Sequence, residues 1–168
     1  DTLAGLLVCQ GRLELASASG TRTVEARDFF VGPGRTAREP REVLTGIRIA
    51  PVPGGSAYLR YTPRRAMDLA VVGVAVHLEV AAGRCVAARI ALSAAAPVPV
   101  LAEDAAAVLV GTELGAADIE RAAQLTLRAA DPIDDGRGSR AQRLSMLPVM
   151  ARRAIARAQD RARSSEGR

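Results

Sequence analysis

The segment RRAMDLAVVGVAVHLEV, residues 64–80, sets two guanidiniums, Arg64 and Arg65, and one carboxylate, Asp68, at the mouth of a long apolar run. A carboxylate beside such a run must be paired or solvated, because an unpaired buried charge is very costly. In a helical turn Arg65 and Asp68 would be neighbours. Backbone amides at the entrance to the run are the other available donors. Either way Asp68 reads as a fastener for a loop, and a solvated ion pair at a strand end is the simplest form of it. Arg60 and Tyr61, just upstream, complete the candidate cluster. Elsewhere reactive side chains are sparse. His77 is the only histidine, and Cys9 and Cys85 are the only cysteines. They have no metal-ligand spacing, and a zinc site or a histidine-based triad would lack its usual parts. Both cysteines sit in apolar contexts and read as buried, reduced thiols. His77 reads as a half-exposed strand residue. No GxGxxG, P-loop, GxSxG, HExxH or CxxC pattern occurs, so no motif identifies an enzyme.

The chain has 168 residues, enough for one ordinary domain or two small ones. Aromatic residues are almost missing: Phe29, Phe30, Tyr58 and Tyr61 are all there are. The core must therefore be built from Leu, Val, Ile and Ala. The net charge of +5 comes from arginine alone, since there is no lysine. Those arginines are scattered, apart from a group near the C-terminus, and stacking aromatics are missing, so nucleic-acid binding is disfavoured. Arg152, Arg153, Arg157, Arg161 and Arg163 read as a solvated helix face. No apolar run approaches about 18 residues, and no signal peptide is visible, which predicts a cytoplasmic protein without a transmembrane segment.

Periodicity divides the chain near residues 53–60. Residues 2–9 read as the end of a helix stopped by Gly11. Residues 12–16 and 21–25 alternate and are joined by SASG, a hairpin pattern. Asp28 is placed to cap a short turn that Phe29 and Phe30 anchor, and Gly32-Pro33-Gly34 is a plain turn. Residues 42–52 form a strand with Leu44, Ile47 and Ile49 as apolar positions, PVPGG is a turn, and residues 56–62 are another strand. From Val72 to Val80 a period of two predicts a strand with one buried face carrying Val72, Val74, Val76, Leu78 and Val80. AAGR turns it back into residues 85–93, with Val86, Ile90 and Leu92 inward and Arg89 outward. Helices follow at 102–111 and 116–131, the second burying Ile119, Ala122, Ala123 and Leu127. The last starts at Ser139 with a capping-box pattern. Its stripe is Leu144, Leu147, Ala151, Ile155 and Ala158, and Pro148 should kink or divide it. The class is α+β: a strand-rich first part, then a small antiparallel sheet packed against about three helices.

The ordered series GRLELASASGTRTVEARDFFVG, REVLTGIRIAPV and YLRYTPRRAMDLAVVGVAV, followed by DDGRGSRAQR, resembles the FAD-binding medium subunit of molybdenum hydroxylases. These are the carbon monoxide dehydrogenase and xanthine dehydrogenase type enzymes. The resemblance implies residues 1–55 as the C-terminal part of a flavin-binding α/β subdomain and residues 56–165 as the flavoprotein C-terminal domain. It implies an oxidoreductase subunit in a heterotrimer. Electrons from the molybdenum cofactor of a large subunit would pass through [2Fe-2S] clusters of a small subunit to FAD, and then to an acceptor.

Three cofactor-binding positions carry over by the same resemblance, and no catalytic acid, base or nucleophile. Asp1 matches an acidic residue near the cofactor, Leu44 an apolar residue near the flavin ring, and Arg60 a basic residue reaching the flavin edge. Asp68 and Arg65 would then hold the loop that aims Arg60. The family's two glycine-rich flavin segments belong upstream of Asp1. The chain is therefore expected to be a C-terminal piece that by itself binds FAD weakly or not at all and is inactive. A competing expectation is an interaction or scaffold module of the same fold without flavin, and a third is an RNA-associated protein using the C-terminal arginines.

Overall fold

The alternating segments fold into a three-stranded and a four-stranded sheet beside a small two-stranded one, seen in a computed structural model that describes residues 2–64 and 68–166. Helix α1 (Leu3–Val8) ends as expected, through a Schellman motif. Gln10, at φ 51°, is its left-handed residue, and Gly11 N–H donates to the Leu6 carbonyl at 2.8 Å. Strands β1 (Arg12–Ser17) and β2 (Gly20–Glu25) make the expected hairpin. Helix α2 (Ala26–Phe29) follows, with Phe29 buried and its ring edge-on to Phe30 at 5.2 Å. Strands β3 (Phe30–Gly32) and β4 (Arg35–Thr36) flank the expected turn, with Gly34 at φ 66°. Strand β5 (Val43–Arg48) pairs with β1, giving the order β2-β1-β5.

The second sheet has the order β6-β7-β8-β9, from β6 (Gly55–Tyr61), β7 (Val72–Ala81), β8 (Arg84–Ser93) and β9 (Val100–Leu101), all antiparallel. Ala82 and Gly83, both at positive φ, form the two-residue turn of the β7–β8 hairpin. Helices α3 (Glu103–Ala107), α4 (Ala116–Leu125) and α5 (Arg140–Glu166) complete the fold. The larger core lies between the β7–β8 hairpin and α3, α4 and α5. A smaller one joins α1, β1 and Phe29 to Ala75 and Ala91 on the opposite sheet face.

That second core corrects one expectation. Strand β7 is buried on both faces from Val72 to Leu78, and His77 is wholly buried. Helix α1 covers the face expected to be exposed. Strand β8 corrects another. A bulge opposite Glu79 and Val80 inserts Val86, so Cys85 takes the inward place opposite Val80 and Val86 is 53% exposed. Cys9, expected buried, is half-buried. The apolar positions of β5 are exposed, Leu44 at 41% and Ile47 at 50%, because β5 is an edge strand bonded only to β1.

Helix α4 stops at Leu125, short of the expected 131. The Thr126 hydroxyl donates to the Ala123 carbonyl at 2.6 Å, and the chain tightens into a 3-10 turn, Thr126–Ala129, in which Leu127 is half-buried. Ser139 caps α5 as expected, its Oγ accepting from Gln142 N–H at 3.1 Å. Helix α5 is not divided by Pro148 but runs through it. Leu147, Met150 and Ala151, packed into the core around the proline, offset the lost backbone bond.

Helix α5 approaches β6 closely. A Cβ added to Gly55 would lie 2.2 Å from the Ala158 carbonyl oxygen and 2.3 Å from Ala162 N. A Cβ on Gly5 would meet nothing within 4 Å. Gly55→Ala is therefore expected to lower unfolding stability by on the order of 3 kcal/mol, whereas Gly5→Ala should raise it by roughly 0.5–1 kcal/mol. Urea denaturation midpoints of the two variants check both signs.

Candidate functional site

Alternation along β6 sends Ala57, Leu59 and Tyr61 into the α5 core. It leaves Ser56, Tyr58 and Arg60 on the face that bears α1. Arg60 lies opposite Gly73, where a Cβ would come within 2.5 Å of both the Tyr58 hydroxyl and Ser93 Oγ. The glycine leaves room for those two hydroxyls, 3.3 Å apart, beside Arg60. Burial pushes the Tyr58 phenol up, so it stays protonated.

Arg60 is exposed, and its Nη1 donates to the Asp68 carbonyl at 3.2 Å. The Asp68 carboxylate fastens the loop as expected, through backbone amides: Oδ2 accepts from Arg64 N–H and Oδ1 from Leu69 N–H, each at 3.0 Å. The first of these is the main cause holding its carboxyl below the usual range, and the Arg64 guanidinium at 3.6 Å adds to it. Arg65, the other expected partner, lies outside the described residues, as does Asp1. Leu3 and Leu69 line one cleft of about 270 Å³, so the amino-terminal end of α1 and the loop that receives Arg60 share an edge.

Leu44 stands on the other sheet, exposed on its edge strand β5. Its strand is anchored by Glu42, which accepts from Arg22 Nε at 2.5 Å and Nη2 at 2.8 Å and from Glu39 N–H at 2.7 Å. The paired Arg22 guanidinium, chiefly, holds the Glu42 carboxyl down to about 2. An exposed guanidinium and an exposed apolar side chain suit a flavin, whose ring is apolar and gains negative charge on reduction. A larger cavity, about 560 Å³, lies away from both, between α1 and α3. Its arginines are committed: Arg12 to Glu25, Arg27 to Glu103, and Arg89 to the Val8 carbonyl.

Among the buried polar groups that sequence reasoning missed are two, Arg143 and His77. Arg143 is 4% exposed; its Nη1 donates to the carbonyls of Val71 and Ala94, both at 2.7 Å, and its Nη2 to Asp135 Oδ1 at 2.6 Å. The signal was present: Arg143 falls four residues before Leu147 in the buried stripe of α5. His77 is the second, with Nδ1 2.7 Å from Ser56 Oγ and Nε2 3.4 Å from Glu79 Oε1. Arg89, 3.4 Å from the same Glu79 oxygen, donates through Nε to the last carbonyl of α1 at 2.7 Å. The C-terminal arginines are partly committed too, Arg152 to Glu120 and Arg161 to the Ser56 carbonyl.

Residues 57–158 match the model for the CO dehydrogenase flavoprotein C-terminal domain. The chain belongs to the CO dehydrogenase flavoprotein family. Residues 1–53 match the FAD-binding domain in molybdopterin dehydrogenase. The carbon monoxide dehydrogenase medium chain of Afipia carboxidovorans is 40% identical over 98% of this chain and 58% of its own length. A putative xanthine dehydrogenase FAD-binding subunit of Escherichia coli is 29% identical over 94% of this chain and 55% of its own. Among solved structures, reconstituted CO dehydrogenase from Oligotropha carboxidovorans superposes with TM-score 0.90 at 41% identity, over 96% of this chain and 57% of that one. Quinoline 2-oxidoreductase from Pseudomonas putida 86 superposes with TM-score 0.89 at 32% identity, over 99% and 57%. The chain thus spans a little over half the length of the relatives it matches, and the resemblance to FAD-binding medium subunits is borne out. No described helix is long and apolar enough to cross a membrane.

Burial first, and the Arg89 guanidinium second, hold the His77 imidazole below its ordinary value of 6.5. The unfolded chain therefore binds the proton first as pH falls. The stabilisation is fully present above pH 6.5 and is lost below it, until the lower folded value is reached. As His77 is the only histidine, stability is expected to fall as pH drops below 6.5, by up to about 1.4 kcal/mol per pH unit. Denaturation of His77→Gln across that range should show a flat profile.

Proposed function

We propose that this chain is part of the FAD-binding subunit of a molybdenum-containing hydroxylase. In this reading the subunit takes electrons from [2Fe-2S] clusters of a small partner and passes them through flavin to an acceptor. The electrons originate at the molybdenum cofactor of a large partner. Residues 1–55 form the end of the flavin-binding domain, and residues 56–165 form the flavoprotein C-terminal domain that docks against it. The observation that carries this reading is the position of Arg60. It stands on the sheet face that bears α1, and the loop carbonyl it meets precedes Leu69, which shares a cleft with Leu3 of α1. The two family matches meet between residues 53 and 57, at the start of the strand that carries Arg60 near its end.

Bound FAD would supply the ring that accepts electrons in pairs or singly. Arg60 favours the negative charge of the reduced ring, because a cation already held at the ring's edge needs little reorganisation to do so. Leu44 supplies apolar surface for the ring, and Asp1 an acidic group near it. Asp68 holds the loop whose carbonyl takes one Arg60 hydrogen bond, and Glu42 with Arg22 holds the start of β5, on which Leu44 sits. No residue here is assigned to substrate activation, which fits an electron-relay role and an isolated chain without activity.

Two measurements test the reading. Titrating the purified chain with FAD is expected to give a Kd above about 1 μM; tighter binding would show that the described residues hold the cofactor unaided. In the assembled complex, Arg60→Gln is expected to lower the flavin midpoint potential by about 30 mV, a tenfold change for a two-electron couple. An unchanged potential would remove Arg60 from the flavin site.

A further inference from the structure

In front of the sheet, Arg60 Nη1 donates to a carbonyl of the β6–β7 loop, Asp68 O, at 3.2 Å. The root of that loop is held from behind the sheet. Three residues on, Val71 N–H donates to the Tyr61 carbonyl at 2.9 Å, closing the root of the loop that joins β6 to β7. The Val71 carbonyl accepts from Arg143 Nη1 at 2.7 Å. The same Nη1 reaches the Ala94 carbonyl, at the end of β8, at 2.7 Å. Ala94 sits at φ 55°, a backbone conformation that costs an alanine energy and that persists only where its surroundings impose it. Asp135 supplies the countercharge at 2.6 Å, and its Oδ1 also accepts from the backbone N–H of Arg137 and Gly138.

We propose that Arg143, locked by Asp135, is a positioning residue for Arg60: it pins the root of the β6–β7 loop from within α5 and so fixes the carbonyl that orients the Arg60 guanidinium. This rests on the reading of Arg60 as the flavin-facing cation. Two features make the device specific. A guanidinium is a planar fork that reaches two carbonyls and a carboxylate together, which a lysine ammonium on a flexible stem does not reproduce. At 4% exposure, Arg143 without its carboxylate would be an uncompensated buried charge, so the lock works as a unit. Bonds from α5 to the root of the loop thus set a side chain that α5 does not touch through any bond described here.

The test uses the assembled, FAD-loaded complex and reads the flavin midpoint potential beside the melting temperature. Arg143→Lys and Asp135→Asn are expected to shift flavin reduction in the same direction as Arg60→Gln, by two- to tenfold in the equilibrium constant. Adding either to Arg60→Gln should give no further shift, since residues in one network are not additive. Asp135→Asn keeps the acceptor for the Arg137 and Gly138 amides, so it decides the matter if Arg143→Lys fails to assemble. Leu147→Ala, a core truncation on the same helix, should lower the melting temperature and leave the potential where it was. If Arg60→Gln shifts the potential while Arg143→Lys and Asp135→Asn change only the melting temperature, the inference is overturned. It is equally overturned if Leu147→Ala shifts the potential as much as they do. A null result for Arg60→Gln itself would instead sink the reading of Arg60, and this inference with it.

Discussion

The separation between α5 and the β6–β9 sheet governs this structure. At Gly55 the helix backbone comes so near the strand that no side chain fits, and Ala151, Ala154, Ala158 and Ala162 are all buried along the helix. Small side chains on the helix let its backbone approach, and the interior is filled by strand residues such as Val74, Val76 and Leu78. The glycine at position 55 follows from this, because any side chain there would lift the helix. So does the burial of Arg143. Its guanidinium reaches the Val71 and Ala94 carbonyls only because α5 begins close against the ends of β7 and β8.

The opposite sheet face is treated differently. There α1 packs on Ala75 and Ala91, while Ser56, His77, Glu79 and Arg89 form a polar line along the sheet. Ser56 Oγ meets His77 Nδ1 and Arg89 meets Glu79, while His77 Nε2, 3.4 Å from Glu79, is buried without a hydrogen bond among the described residues. The first unit meets the second both through apolar contact and through Arg89, whose bond to the end of α1 is directional and also favourable to the helix dipole. Arg60 stands on this face as well.

Much of the fold was legible because period, turn and cap are local properties. The β1–β2 hairpin, the Ala82-Gly83 turn, the Ser139 cap and the buried stripe of α5 all follow from neighbouring residues. What was missed depends on partners distant in sequence. Nothing near His77 says that α1 will cover it. The bulge at Val86 arises from pairing with Glu79 and Val80, and a strict alternation carried through it inverts Val86 and Cys85. Of the candidate site, Asp68 as a loop fastener could be read from its position beside an apolar run. Its partners, and the Arg143–Asp135 lock behind the loop, could not. An arginine in an apolar helical stripe was the one available sign, and it becomes meaningful only when the carbonyls it reaches are known.

Strand β5 carries Val43, Leu44 and Ile47 at exposures of 41–65%, with one edge of its backbone unpaired. Such an edge is a template for pairing with another chain, and the flanking charges of Arg41 and Arg48 limit this without preventing it. At high concentration two molecules can therefore join side by side along this ribbon. Preparations of the isolated polypeptide would then report on that stickiness as much as on its native chemistry.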